Sequence, residues 1–254
     1  MSLLFIHEAT AHNLIFDCGG VLFGTDKGKF LKKTGPLRIP LYAITHFKNP
    51  RTVLDEKLKE VPSFTPYDTV ACDEKGNPLP PIMCDWLKGV PTDQILDAVL
   101  DTLGTSGAIS SIAQGIFNPA IFAQTQYLYP DAEKFVRECV KAGHKVYILS
   151  NWDAESFALI KEKYSDFFDL FSGFIVSGEC GMIKPNPLIY TYLLETYSLD
   201  PADCLFFDDQ TINVQAARKQ RIFSIRVAQK HGKPDYKKVR TKFNYWQNYI
   251  APTA

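Results

Sequence analysis

The chain has 254 residues, and its 28 lysines and arginines balance 28 aspartates and glutamates. This length suits one large domain, or a core with a smaller accessory domain. Because the net charge is zero, the chain has no overall field that would concentrate nucleic acid or an acidic membrane. We therefore expect neither as a partner.

The cysteines and the hydropathy pattern bear on the cellular compartment. The six cysteines include no CxxC pair, which is typical of proteins in a reducing compartment. No segment approaches the roughly 20 apolar residues that span a bilayer. The first residues also lack the basic region and small-residue cleavage site of a secretory signal. We expect a cytoplasmic protein without a membrane anchor.

The first predicted element is a strand. Residues 13–17 (NLIFD) form a short apolar run that ends in Asp17 and is followed by Cys18, Gly19 and Gly20. Such a run indicates a buried parallel strand whose carboxyl end opens into a turn.

The pattern is irregular between residues 25 and 126, where prolines cluster. Helical periodicity is clear only near 51–60 and 92–103. About a hundred residues are too many for a plain loop in a compact protein. We predict an inserted, mostly helical cap domain over 25–126, above the strand ends of a core made from 1–24 and 127–254.

Helices and strands alternate after this insertion. An amphipathic helix is predicted to begin at Pro130 and to end before Gly143. Strands follow at 145–149, 173–176, 204–207 and 223–227, and helices at 154–163, 187–197 and 212–220. The alternation predicts an α/β fold with a doubly wound, Rossmann-like parallel sheet, and such folds place their sites at the carboxyl ends of the strands.

The C-terminal segment mixes basic and aromatic residues, as nucleic-acid-binding segments do. The balanced total charge argues against that function. We expect Phe243, Tyr245 and Trp246 to pack on the core instead.

Polar residues follow four of the predicted strands. They are Asp17, Ser150 with Asn151, Lys184, and Asp208 with Asp209. Parallel topology brings these strand ends to one edge of the sheet. A carboxylate nucleophile, hydroxyl and amide donors, a cation and paired acids together make a phosphoryl-transfer site.

In their order and context, four segments resemble the motifs of the haloacid dehalogenase-like (HAD) hydrolase superfamily, in the group with a helical cap after the first motif. They are IFDCGGVLF (15–23), YILSNWD (147–153), GMIKPNPLIY (181–190) and LFFDDQTINVQAA (205–217). The resemblance covers 1–24 and 127–254 and implies a hydrolase, with a phosphatase as the leading activity.

The resemblance assigns roles to the residues at the strand ends. It makes Asp17 the nucleophile that forms an aspartyl-phosphate. Ser150 and Asn151 would hold the oxygens of the transferred phosphoryl group. Lys184 would neutralise the charge on Asp17 and on those oxygens.

The resemblance also implies a metal site. The carboxylates of Asp17 and Asp209 and the backbone carbonyl of Gly19 would ligate Mg²⁺, and Asp208 would assist directly or through water. Oxygen ligands of this kind suit Mg²⁺. We expect Asn213 to orient the motif loop rather than to touch the substrate.

Gly19 departs from the family pattern. Phosphatases of this superfamily typically carry an aspartate there, which protonates the leaving group and later activates water. A positioned acid or base contributes about 10²- to 10⁴-fold, so activity could persist on substrates with good leaving groups. A histidine of the cap, such as His46, could replace the missing acid.

Two alternatives to a phosphatase remain open. One is a weakly active or inactive phosphate-binding module. The other is a 2-haloacid dehalogenase, because a halide leaves without a proton. Dehalogenases of the superfamily usually have tyrosine at the position of Gly19, and the pair Asp208 and Asp209 would repel Asp17 without a cation between them. A phosphatase acting on a small phosphorylated metabolite is therefore favoured; the substrate and the oligomeric state are not readable from the sequence.

Overall fold

A computed structural model describes residues 11–46, 49–66, 69–73 and 76–249. Its strands are β1 Asn13–Phe16, β2 Phe23–Thr25, β3 Gln126–Leu128, β4 Lys145–Ser150, β5 Gly173–Val176, β6 Cys204–Asp208, β7 Phe223–Arg226, β8 Gln229–Lys230 and β9 Lys233–Pro234.

The helices divide between the insertion and the core. Those of residues 25–126, which we name the cap segment, are α1 Lys27–Thr34, α2 Arg38–His46, α3 Pro50–Leu58, α4 Pro81–Leu87, α5 Thr92–Leu103, α6 Ala108–Ile116 and α7 Pro119–Thr125. Those of the core are α8 Pro130–Lys141, α9 Ala154–Lys163, α10 Ser165–Phe168, α11 Ser177–Cys180, α12 Pro187–Thr196, α13 Thr211–Lys219 and α14 Tyr236–Tyr249. None of the helices in the described ranges combines the length and apolar character needed to cross a bilayer.

The main sheet has five parallel strands in the order β5-β4-β1-β6-β7. Its central strands are apolar on both faces. In β1, Leu14 and Phe16 pack with α8 and α14, whereas Ile15 packs on the other face with α12 and α13. The predicted doubly wound α/β architecture is confirmed, and strand placement follows from runs that can only be buried between two helical layers.

The aromatic residues of α14 were predicted to pack on the core, and two of three do so. Phe243 and Trp246 are buried against the sheet. The prediction was wrong for Tyr245, which is 58% exposed. Residues three apart share one face of a helix, and Tyr245 lies off the face that Phe243 and Trp246 form.

The cap segment has a hydrophobic cluster of its own, formed mainly by α3, α4, α5 and α6. The sequence patterns identified α3 and α5, whereas the other five helices were missed. The prolines had indicated irregular structure, yet Pro50, Pro81 and Pro119 each lie at the start of a helix. Proline is favoured in that position because the first helical N–H groups have no partner within the helix.

Close contacts join the cap segment to the core. Gly89 has φ +94°, and a Cβ there would lie 2.3 Å from the carbonyl oxygen of Gly178 in α11. The Thr92 N–H donates to Glu155 of α9 at 3.0 Å, and the Asn186 amide donates to the Thr69 hydroxyl at 2.9 Å. The antiparallel pair β2 and β3 lies where the chain enters and leaves the insertion.

Side chains cover backbone groups at both edges of the main sheet. At β5, the Phe174 N–H donates to the Tyr197 hydroxyl at 2.8 Å, and this hydroxyl donates to the Phe174 carbonyl at 3.1 Å. At β7, Arg218 donates to the Ser224 carbonyl and Lys242 to the Arg226 carbonyl.

Candidate active site

The ends of three neighbouring strands place acids and a hydroxyl at one edge of the sheet. Asp17 follows β1, Ser150 ends β4 and Asp208 ends β6. The register pairs Phe16 with Phe207 and with Ile148, so Asp17 is level with Asp208 and Ser150 lies one residue further along its strand. Lys184, in the loop between α11 and α12, reaches the same point.

Asp17 is held by two donors on one carboxylate oxygen. The Ser150 hydroxyl donates to Asp17 Oδ1 at 2.7 Å, and Lys184 Nζ lies 2.9 Å from the same atom. Ser150 also accepts the N–H of Cys18 at 3.4 Å. Asp17 is 7% exposed, and its other oxygen makes no hydrogen bond to the residues that the structure describes. The carboxylate therefore has a fixed orientation and one oxygen available for chemistry.

The ammonium of Lys184 is fully buried and has three acceptors. Besides Asp17, they are Asp208 Oδ2 at 2.7 Å and the Leu149 carbonyl at 2.9 Å. Burial by itself would lower the pKa of Lys184, but the charges of Asp17 and Asp208 outweigh it and raise that pKa. An ammonium has three donors, so each N–H of Lys184 has an acceptor and the group is held rigidly beside Asp17.

Asp208 is fully buried and its oxygens are occupied by protein donors. It accepts from Lys184, from the Gln210 N–H at 2.8 Å and from the Asn213 amide at 3.1 and 3.2 Å. Burial raises the pKa of Asp208, and the charge of Lys184 opposes that rise. These contacts fix Asp208 between Lys184 and Asn213, and the role of Asn213 in orienting the motif loop stays a prediction.

The contact of Ser150 and Asn151 with a phosphoryl group stays a prediction. The Ser150 side chain is fully buried against Asp17. The Asn151 side chain accepts the Lys184 N–H at 2.7 Å and donates to the Lys184 carbonyl at 2.9 Å. In the structure, the Ser150 side chain therefore contacts Asp17, and the Asn151 side chain holds the backbone of Lys184.

Three carboxylates form a group that could hold a metal ion. One oxygen from each of Asp17, Asp208 and Asp209 lies within 4.8 Å of the others. Gly20 has φ +69°, and a Cβ there would lie 2.6 Å from Asp209 Oδ2, so only glycine allows the acid to approach the loop. The buried Asn213 Oδ1 has no hydrogen-bond partner among the described residues. A hydrated Mg²⁺ ion would fit between these clustered carboxylates, beside the Asn213 oxygen that lacks a hydrogen-bond donor in the described part of the chain.

These groups open into a cavity of about 460 Å³ between the core and the cap segment. Asp17, Gly19 and Asp209 are among the residues that line it. Aromatic side chains from both parts of the chain form its walls: Phe23, Trp86, Phe122, Tyr127, Tyr129 and Trp152. Sequence reasoning missed these residues, although Phe23 and Trp152 lie within the motif segments 15–23 and 147–153.

His46 does not lie near this site. It is exposed at the end of α2, its ring stacks on Tyr42 with centroids 4.1 Å apart, and it is not part of the cavity wall. The idea that it supplies the missing acid is therefore not supported by the structure.

Comparison with known proteins identifies the family. The family model of haloacid dehalogenase-like hydrolases matches residues 13–220. The chain belongs to this family of hydrolases. The superfamily resemblance carried by the four motif segments is thereby confirmed.

Among HAD relatives with curated names, two are phosphatases. The chain is 35% identical over 102 residues to the sesquiterpene phosphatase astK of Aspergillus oryzae, a match that covers 39% of this chain and 52% of that protein. It is 30% identical over 145 residues to phosphatase MT3486 of Mycobacterium tuberculosis, covering 52% and 64%. The matches thus span less than two thirds of either relative.

Solved HAD structures share the fold. One is a HAD family enzyme of Bacteroides thetaiotaomicron in complex with magnesium and inorganic phosphate, with a TM-score of 0.59, 20% identity, and coverage of 91% of this chain and 99% of that one. Another is the L-2-haloacid dehalogenase of Xanthobacter autotrophicus, with a TM-score of 0.53, 18% identity, and coverage of 96% and 85%. At such identities the likeness establishes the fold alone.

Proposed function

We propose that this HAD hydrolase is a Mg²⁺-dependent phosphatase that cleaves a small phosphomonoester through an aspartyl-phosphate on Asp17. The observation that carries the proposal is the fixed pair of Asp17 and Lys184 beside two further acids, at the floor of a cavity. Phosphoryl transfer depends mainly on positioning and on neutralising charge, and this site supplies both. The two relatives named as phosphatases support it.

Each residue has a distinct part in the proposed reaction. The Asp17 carboxylate attacks phosphorus, while Ser150 and Lys184 hold it in line. Lys184 offsets the negative charge that accumulates between the carboxylate and the phosphoryl oxygens. Asp208 and Asn151 keep the lysine in place through the contacts described above.

Asp17, Asp209 and the Gly19 carbonyl would hold the Mg²⁺ ion, with Asp208 acting on it indirectly because its oxygens already accept four hydrogen bonds. When bound, the ion would supply positive charge that allows the acids and an anionic phosphate to share one site.

The paired acids distinguish this proposal from a dehalogenase. A halide displacement needs one carboxylate and no metal ion, and it gives no reason to place Asp209 within 4.8 Å of Asp17 and Asp208. Like charges at that range disfavour joint ionisation unless a cation compensates them. We therefore propose a small phosphorylated metabolite as the ligand, with neither nucleic acid nor membrane as a partner. The six free cysteines support a cytoplasmic location.

Phosphate release tests this function. With Mg²⁺, the purified chain should release phosphate from 4-nitrophenyl phosphate, and EDTA or Asp17→Asn should reduce the release to background because charge compensation or the nucleophile is lost. Asp209→Asn should weaken Mg²⁺ binding measured by calorimetry. Binding of beryllium fluoride without phosphate release would indicate the inactive binding module. Metal-independent chloride release from 2-chloropropionate would instead establish the dehalogenase.

A further inference from the structure

Three neighbouring aromatic rings form part of the cavity wall. The Trp152 ring lies 5.6 Å from the ring of Phe122 in α7, and Phe122 lies 5.9 Å from Trp86 in α4, measured between centroids. These three rings form a continuous surface from the core into the cap segment, which we name the aromatic wall.

The aromatic wall is apolar as well as rigid. The indole N–H of Trp152 donates to Ser156 at 2.8 Å, and that of Trp86 donates to Thr92 at 3.1 Å. Since both polar atoms are bonded within the protein, the indoles present carbon to the cavity. Such a surface recognises a flat apolar group by stacking and by exclusion of water.

Gly19 lies at one end of this wall. A Cβ built on Gly19 would lie 3.9 Å from Cζ3 of Trp152. The position from which an acid would reach the leaving group is therefore bordered by an aromatic ring. The absence of an acid at this position favours a leaving group that needs no proton. The neighbouring ring favours a leaving group that stacks on it.

The charges around the cavity restrict the ligand further. Among the described residues that line it, the cations are Lys184, which is already paired with two acids, and Lys27 at the exposed start of α1. A substrate with a second phosphate or carboxylate group would find no buried cation for it.

Building on the proposed phosphatase activity, we infer that the substrate is an aryl phosphate, the phosphomonoester of a phenol on one or two fused rings. A phenolate is a weak enough base to leave without protonation, and its ring matches the aromatic wall. Rings of this size fit a cavity of about 460 Å³ together with the phosphate.

The reaction balances without a protein acid. An oxygen of Asp17 forms a bond to phosphorus while the bond from phosphorus to the phenolic oxygen breaks, and the electron pair leaves on the phenolate. Water then forms a bond to phosphorus, and the bond to Asp17 breaks and restores the carboxylate. One proton of that water ends on the phenolate, giving a phenol and hydrogen phosphate.

Four substrates separate the two requirements. In 1-naphthyl phosphate an aromatic ring is combined with a good leaving group, and acetyl phosphate has the good leaving group without a ring. Cyclohexylmethyl phosphate has a ring but a poor leaving group, and glycerol 1-phosphate has neither. With Mg²⁺ we expect kcat/KM for 1-naphthyl phosphate to exceed each of the others by about tenfold or more.

Phe122→Leu tests the aromatic wall itself. It should raise KM for 1-naphthyl phosphate about two- to tenfold, while kcat and inhibition by inorganic phosphate stay unchanged because the floor of the site is intact. Phe64→Leu is the matched control, since Phe64 is in the same segment, 51% exposed and not part of the cavity wall; it should change nothing.

The outcomes are distinct. Release of phosphate from glycerol 1-phosphate or acetyl phosphate as efficiently as from 1-naphthyl phosphate would overturn the aryl assignment and leave the phosphatase standing. An unchanged KM in Phe122→Leu would do the same. No release from any of the four substrates would overturn the proposed phosphatase, and the aryl assignment with it.

Discussion

Position 19, which is Gly19 in this chain, is where the acid typical of the family is easiest to restore. A Cβ at this position meets only ordinary contact with Trp152, and the backbone there does not need glycine. Gly19→Asp should therefore fold normally and add the missing acid. We expect kcat for alkyl phosphates such as glycerol 1-phosphate to rise about 10- to 100-fold, since positioned acids contribute about 10²- to 10⁴-fold. The gain for aryl phosphates should be smaller, because their leaving group needs no proton and only the activation of water is added.

Gly19→Asn is the control for that substitution, because it adds similar volume without a proton to transfer. Thermal unfolding of both variants would show that neither disturbs the fold. Equal rates for the aspartate and asparagine variants on glycerol 1-phosphate would contradict the account of this position.

The sequence indicated the individual site residues better than their contacts. Asp17, Lys184 and Asp209 were identified from strand ends, because parallel topology alone brings such residues together. The expectation that Asn151 helps to hold the phosphoryl oxygens stays a prediction, whereas the two hydrogen bonds between its side chain and the backbone of Lys184 were not foreseen. No local pattern reveals a partner 33 residues away, since that contact exists only after the sheet has formed.

At the scale of the elements, the contact between Gly89 and Gly178 determines how closely the cap segment approaches the core. In Gly89→Ala the new Cβ would collide with the Gly178 carbonyl oxygen, and alanine is disfavoured at φ +94°. We expect the free energy of unfolding, measured with urea, to fall by about 2 to 4 kcal/mol from the overpacking and backbone terms together.

Gly104→Ala separates these two causes. Gly104 has φ +81°, and a Cβ there would meet nothing within 4 Å. Its loss of stability should therefore reflect the backbone alone, about 1 kcal/mol. Equal losses in the two variants would show that the contact with α11 contributes nothing.

The core helices α8, α9, α12 and α13 were predicted closely, whereas α10, α11 and α14 were not predicted, and most helices of the cap segment were missed as well. Helix α8 has a proline start, an apolar stripe and Gly143 after its end, all of which are local signals. Helix α6 (AISSIAQGI) contains serines and a glycine that favour helix weakly, and it forms because its apolar face packs into the cluster of the cap segment.

At the scale of the whole molecule, two buried histidines link folding to pH. The His12 N–H donates to His144 Nδ1 at 3.1 Å, beside the buried ring of Trp246. Burial lowers the pKa of both histidines; for His144 the charge of His12 adds to this, and for His12 Asp203 opposes it. Because both pKa values are lower in the folded chain, these histidines take up protons at a higher pH in the unfolded chain, where their pKa has the ordinary value of 6.5.

The contribution of these histidines to the free energy of unfolding should therefore be fully present above pH 6.5. It should decline as the pH falls toward their lowered pKa values in the folded state. Urea unfolding at about pH 7.5 and about pH 5.5 measures the difference. His144→Asn keeps an acceptor for the His12 N–H but cannot titrate, so its decline should be smaller. His231→Asn, in the exposed turn between β8 and β9, should decline like the unchanged chain. An equal decline in the His144 variant would contradict this linkage.

The side chains that cover backbone groups of β5 and β7 affect how the folded chain can associate with other polypeptides. An outer strand with bare N–H and C=O groups is a template on which another polypeptide can align and grow into fibrils. Here the phenol of Tyr197 occupies both polar groups of Phe174, and two cations occupy carbonyls of β7. A polypeptide approaching either flank would have to displace these groups first, which protects the native protein against amyloid-type recruitment.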